Sequence, residues 1–90
     1  MRTHFRLDLL PDPATYYAKE GHTFRGNGEW QSTTCPFHDD THPSLRVRLE
    51  SGSFICMTCG EKGGDILAFH QKRHGQTFKE AAKALGAWEA

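Results

Sequence analysis

The chain carries no net charge: eleven Lys and Arg offset eleven Asp and Glu across ninety residues. Affinity for nucleic acid grows with the number of phosphates neutralised. A balanced chain of this size is therefore no general polyanion binder, and any such role must come from a local cluster and a short contact. No apolar run approaches the length of a bilayer span, which excludes a transmembrane helix. The opening stretch MRTHFRLDLLPD is too short and too interrupted for a secretory signal, so an intracellular, cytoplasmic location is expected. Repeats, low-complexity tracts and linkers are all lacking, which leaves a single domain over residues 1–90. Cysteine is scarce. Three thiols cannot all pair within one monomer, and a reducing compartment argues against structural disulfides. Apolar residues make up only 37% of the chain. A domain this small buries roughly 60–65% of its unfolded surface, so a metal is an expected supplement to its core.

What is present falls into three zones. DPATYYAKEG reads as an N-terminal helix over about residues 12–21, with Pro13 in the first turn after Asp12 and Gly21 as the stop. Residues 24–64 read as a β-rich ribbon. EWQSTT leads into Cys35, and SLRVRLE alternates, with Leu45, Val47 and Leu49 on one face and Arg46, Arg48 and Glu50 on the other. The turn ESGS and the strand SFICM complete a hairpin over 44–57. Two helices follow over about residues 65–86: Asp65 caps ILAFHQKRH, which stops at Gly75, and a Thr77–Glu80 capping box opens FKEAAKAL, which stops at Gly86. The expected class is α+β, with a helix, a small antiparallel sheet and then two helices.

The chemistry lies in the ribbon. Cys35-x2-His38 is followed, after seventeen residues, by Cys56-x2-Cys59. A two-residue gap lets both members of a pair reach one ion from a tight turn, and two such turns can close a tetrahedral shell. Thiolates with imidazole favour zinc over calcium or magnesium, which prefer oxygen. Gly60 suits the turn after Cys59. The expected cofactor is one structural zinc ion. Three other readings compete. A Cys56–Cys59 redox pair leaves Cys35 and His38 unexplained, and glycines follow it rather than a helix. Buried, inert cysteines do not account for the paired spacing. Cys56, Cys59, His70 and His74 form C-x2-C-x10-H-x3-H, two residues short of the usual Cys-Cys-His-His gap. On the preferred reading His70 and His74 are ordinary surface histidines, as are His4, His22 and His42.

At these residues the chain resembles the zinc-binding domain of bacterial-type DNA primases. CPFH, THPSLRV, CMTCG and GGDILAF occur in the family's order and at fitting distances, and TFKEAAKALG is similar to its closing helix. The resemblance runs from about Trp30 to Gly86 and implies a zinc-ribbon-like fold, a small antiparallel sheet with flanking helices and zinc at one end. It departs at Asp39-Asp40-Thr41-His42, where the family usually has a lysine. It departs again at Phe54-Ile55 before the third ligand, and at Met57-Thr58 between the last two. These changes leave the metal shell intact and bear on template preference. They suggest a divergent member, such as one carried by a mobile element.

The resemblance implies a module that contacts single-stranded template DNA so that a separate primase polymerase domain, or a separate primase or helicase protein, can begin an RNA primer. It implies no catalytic residues in this chain, which is then either a fragment or a stand-alone protein. The expected DNA face is the polar side of the hairpin, with Arg46 and Arg48 on phosphates, Phe54 stacked on a base and Lys62 in the following loop. The plainer reading is a solvated strand face with Phe54 in a small core. A competing function is a protein-docking ribbon without DNA contact, anchored by exposed Trp88 or Tyr16-Tyr17. A zinc enzyme is a weaker third reading, since four protein ligands leave no open position for water.

Overall fold

A computed structural model describes residues 4–37 and 43–89. Helix α1 (Pro13–Lys19) begins where Asp12 accepts a hydrogen bond from the Thr15 amide at 3.1 Å, with Pro13 at the first helical position. Strands β1 (Trp30–Thr33), β2 (Leu45–Arg48), β3 (Phe54–Cys56) and β4 (Lys62–Gly63) follow, then helices α2 (Ile66–His74) and α3 (Phe78–Ala84). Asp65 caps α2 by accepting from the Ala68 amide at 2.9 Å, and Gly75 closes it in the left-handed conformation. The Thr77–Glu80 capping box is formed in both directions. No helix among the described residues is long and apolar enough to cross a membrane.

The strands form one antiparallel sheet in the order β1-β2-β3-β4. Its register sets two faces. Val47 stands between Gln31 and Phe54, and Phe54 lies opposite Gly63. Arg46 stands between Ser32 and Ile55, and Ile55 lies opposite Lys62. The alternation expected of β2 holds, with Leu45 and Val47 buried, Arg46 exposed and Arg48 half-buried. Leu49 falls beyond the strand, in the turn, and packs on the core from there.

Phe69 of α2 is the centre of the core. It is fully buried and meets Tyr16, Tyr17, Phe37 and Phe54 edge-on at centroid distances of 4.8–6.0 Å. Edge-to-face packing of this kind adds about 0.5–1.5 kcal/mol per pair beyond area burial. Tyr17 reaches across to donate its hydroxyl hydrogen to the Gly52 carbonyl at 2.8 Å, so the phenol is buried without losing a partner. Tyr16 and Tyr17 are thus interior residues and cannot serve as exposed docking anchors. Trp88 is half-buried, packed beside Leu67, Ala81 and Ala82, so it too is no free anchor. His22, expected at the surface, is half-buried and hydrogen-bonded to Thr33, and its burial lowers the imidazole pKa.

Strand β4 was not legible as a strand; Lys62 belongs to it rather than to a loop. Gly63 allows it to lie there. A β-carbon at that position would stand 2.6–2.7 Å from the Phe54 ring and 2.8 Å from the Ala68 β-carbon. Gly63→Ala should therefore cost about 1–3 kcal/mol through overpacking of a filled core. A urea titration reads this as a lowered midpoint at unchanged slope, and an unmoved midpoint would mean that β4 does not press on the core.

Candidate metal centre

Antiparallel pairing of β1 with β2, and of β2 with β3, makes β1 and β3 run in the same direction. Thr33 and Cys56 flank Leu45 in one register row. Cys35, two residues beyond Thr33, therefore emerges at the same end of the sheet as Cys56. The chain after Cys56 turns back at once: the Cys59 amide donates to the Cys56 sulfur at 3.3 Å, and the Gly60 amide to the Cys56 carbonyl at 3.0 Å. Gly60 takes φ +81°, the left-handed region a knuckle of this kind requires. This returns Cys59 beneath Cys56.

One sulfur from each of Cys35, Cys56 and Cys59 lies within 4.8 Å of the others. Cys35 and Cys59 sulfurs are 3.8 Å apart. That is far longer than the ~2.05 Å of a disulfide. It is the edge of a tetrahedron whose centre sits about 2.3 Å from each corner, the zinc–sulfur distance. The donor set and its spacing fit zinc. Cys35 and Cys56 are buried while Cys59 is exposed at the rim. Phe37 explains the aromatic in CPFH: its ring packs on Phe54 and Phe69 at 6.0 and 5.4 Å and ties the first knuckle to the core. His38, the expected fourth ligand, lies outside the described residues.

The local electrostatics divide the sulfurs. Burial pushes the Cys35 thiol up to about 12. Burial acts the same way on Cys56, but hydrogen bonds from the Cys59 amide, the Ser44 hydroxyl and the Thr58 amide outweigh it and bring that thiol down to about 5. A bound cation deprotonates the thiols that coordinate it. His70 and His74 fall in a separate group with Glu20, so the structure does not join them to Cys56 and Cys59.

The residues expected to contact DNA divide between the two faces. Arg46 is exposed, in one row with Ile55 and Lys62. Arg48 lies on the same face, paired with Glu29 at 2.6 Å and Glu50 at 3.5 Å. Phe54 corrects the expectation. Its register with Val47 turns it inward, and at 2% exposure it offers too little surface to stack on a base. The aromatic on the outer face is Trp30, opposite Arg48 and 41% exposed. The signal for it was the parity of WQST with Thr33 buried, which a four-residue strand carries only once its partner is known.

A family model described as CHC2 zinc finger matches residues 19–89. The chain belongs to the CHC2 zinc finger family. It is 51% identical over 51 residues to the DNA primase of Mycolicibacterium smegmatis, covering 57% of this chain and 8% of that protein. It is 40% identical over 58 residues to the DNA primase of Listeria monocytogenes, covering 64% of this chain and 9% of that one. A crystal structure of the Aquifex aeolicus primase, containing zinc-binding and RNA polymerase domains, superposes with a TM-score of 0.75 at 28% identity, over 96% of this chain and 21% of that one. The chain thus spans about a tenth of the length of the curated relatives it matches. The α+β fold is that of a primase zinc-binding domain, and its cofactor is a structural zinc ion.

Zinc binding can contribute on the order of 10 kcal/mol, as much as the whole stability of a small domain. Removal of zinc by a strong chelator should abolish cooperative thermal unfolding followed by far-UV circular dichroism. Cys56→Ser should do the same, and should erase the thiolate charge-transfer absorption of the cobalt-substituted protein. His70→Ala should leave that absorption intact; its loss would place an imidazole of α2 at the thiolate centre.

Proposed function

We propose that this CHC2 zinc finger is the template-contacting module of a primase-type replication system. It binds single-stranded DNA on the outer face of its sheet and supports primer initiation by a separate catalytic domain or chain. The observation that carries the reading is the composition of that face, where Trp30, Arg46, Arg48 and Lys62 stand together on a rigid sheet closed at one end by the metal centre. Trp30, Ile55 and Lys62 line a shallow depression together with Ser53, Phe54, Gly63 and Gly64, where a base can lie against the indole with its phosphate toward a cation. The primase relatives support the same reading.

Contact is local because the chain is neutral overall. With about three phosphates engaged, the logarithm of affinity should fall against that of salt with a slope of about −2. Trp30→Ala should weaken binding by about 1–3 kcal/mol, the usual worth of a base–aromatic stack. Arg46→Ala should flatten the salt slope more than Arg48→Ala, because the Arg48 guanidinium is already shared with Glu29 and Glu50. Fluorescence anisotropy of a short labelled oligonucleotide, titrated with each variant over a range of salt, measures both. Binding unaffected by Trp30→Ala and Arg46→Ala would move the DNA contact elsewhere. No binding at low salt would favour the protein-docking function.

The chain is proposed to be non-catalytic, its zinc closed by protein ligands and therefore without a site for substrate. Incubated with template, nucleotides and magnesium, the purified chain should make no RNA. Template-dependent synthesis by the chain alone would contradict this.

A further inference from the structure

A second group of metal-binding side chains lies away from the thiols, where α1 meets α2. His70 and His74 are four residues apart on one face of α2, with ring centroids 4.3 Å apart. Tyr16 and Glu20 are likewise four apart, on α1 and its C-terminal cap, and face them. His74 Nε2 lies 2.7 Å from Glu20 Oε1. The Tyr16 hydroxyl lies 2.8 Å from His70 Nδ1 and 3.4 Å from Glu20 Oε1. One nitrogen of each ring and one carboxylate oxygen fall within 4.8 Å of one another.

We infer that Glu20, His70 and His74 form a second metal site, for a divalent first-row transition ion of the zinc class, with the Tyr16 hydroxyl orienting the His70 ring. Two imidazoles and a carboxylate suit zinc, nickel, cobalt or copper, and are the wrong donors for magnesium or calcium. Ligands about 2.0–2.2 Å from a tetrahedral ion are about 3.4 Å apart. The Glu20–His74 pair must open slightly and the wider pairs must close by up to about 1.4 Å, within reach of side-chain rotation at a partly exposed site. The metal pins the C-terminal end of α1 to the last turns of α2, joining the helix before the sheet to the helix after it. Three protein ligands leave a fourth position open, toward a cleft of about 300 Å³ lined by Thr15, Lys19 and Leu85 among others. A single anionic ligand, and basic Lys72 and Arg73 nearby in the last turn of α2, make this site weaker than the thiolate centre. The inference stands apart from DNA binding.

The test uses the untagged chain already carrying one zinc ion, titrated with further Zn²⁺ and followed by native mass spectrometry and by NMR of the histidine rings. The expected result is a second equivalent that shifts the His70 and His74 ring signals and leaves the amides of residues 56–60 in place. His70→Ala and His74→Ala should each weaken the second equivalent at least tenfold and spare the first. Tyr16→Phe should weaken it roughly 10–100-fold, as loss of a ligand's hydrogen-bond partner does. Glu20→Gln keeps a side-chain oxygen for His74 but removes the charge, so it separates a metal site from a hydrogen-bonded clasp. It should lower the second affinity while circular dichroism stays unchanged. Saturation at one equivalent, or a second equivalent indifferent to His70→Ala, His74→Ala and Glu20→Gln, would overturn the inference.

Discussion

Three sulfurs held within 4.8 Å at one end of a four-stranded sheet are the constraint on which the rest of this small domain depends. Thiolates at that spacing repel one another, and they are drawn together by the cation they share. The sheet supplies the position, since β1 and β3 run the same way and deliver Cys35 and Cys56 to a common edge. The Cys56–Gly60 turn then folds Cys59 back under the same point. With the metal in place the two knuckles are cross-linked, and strands of three or four residues no longer stand on their own pairing.

That cross-link is coupled to the core through two aromatics. Phe37 leaves the first knuckle and Phe54 precedes the second in β3, and both pack on Phe69. The metal end, the inner sheet face and α2 are therefore one packed unit. The tight approach of Gly63 to Phe54 completes it and holds β4 at the sheet edge. Lys62 is carried onto the outer face as a consequence of that packing.

The outer face is built from what the core does not use. Its cations differ in availability, Arg46 being exposed while Arg48 is held by two carboxylates. Exposed ion pairs of that kind contribute little to stability. Their effect here is on charge, because they mute one guanidinium on a face that has few. In a chain with no net charge, a small number of local cations and one exposed indole set the character of the surface.

Features governed by neighbours in the chain were legible in the sequence: the helix caps at Asp12, Asp65 and Thr77, the knuckle at Cys56–Gly60, and the in–out alternation of Leu45, Arg46, Val47 and Arg48. Each rests on interactions within a few residues. The paired two-residue spacing likewise pointed to a metal before any fold was known. Only the tertiary structure decided which aromatic is inside. A three-residue strand has no pattern long enough to declare its own face, and a slip of one residue in the β2–β3 pairing would have turned Phe54 outward. Strand β4 exists because β3 offers it an edge, and Tyr16 and Tyr17 are interior because α2 lies against them. The meeting of Glu20 with His70 and His74 is of the same kind: it joins residues fifty or more positions apart, and only the packing of α1 against α2 brings them together.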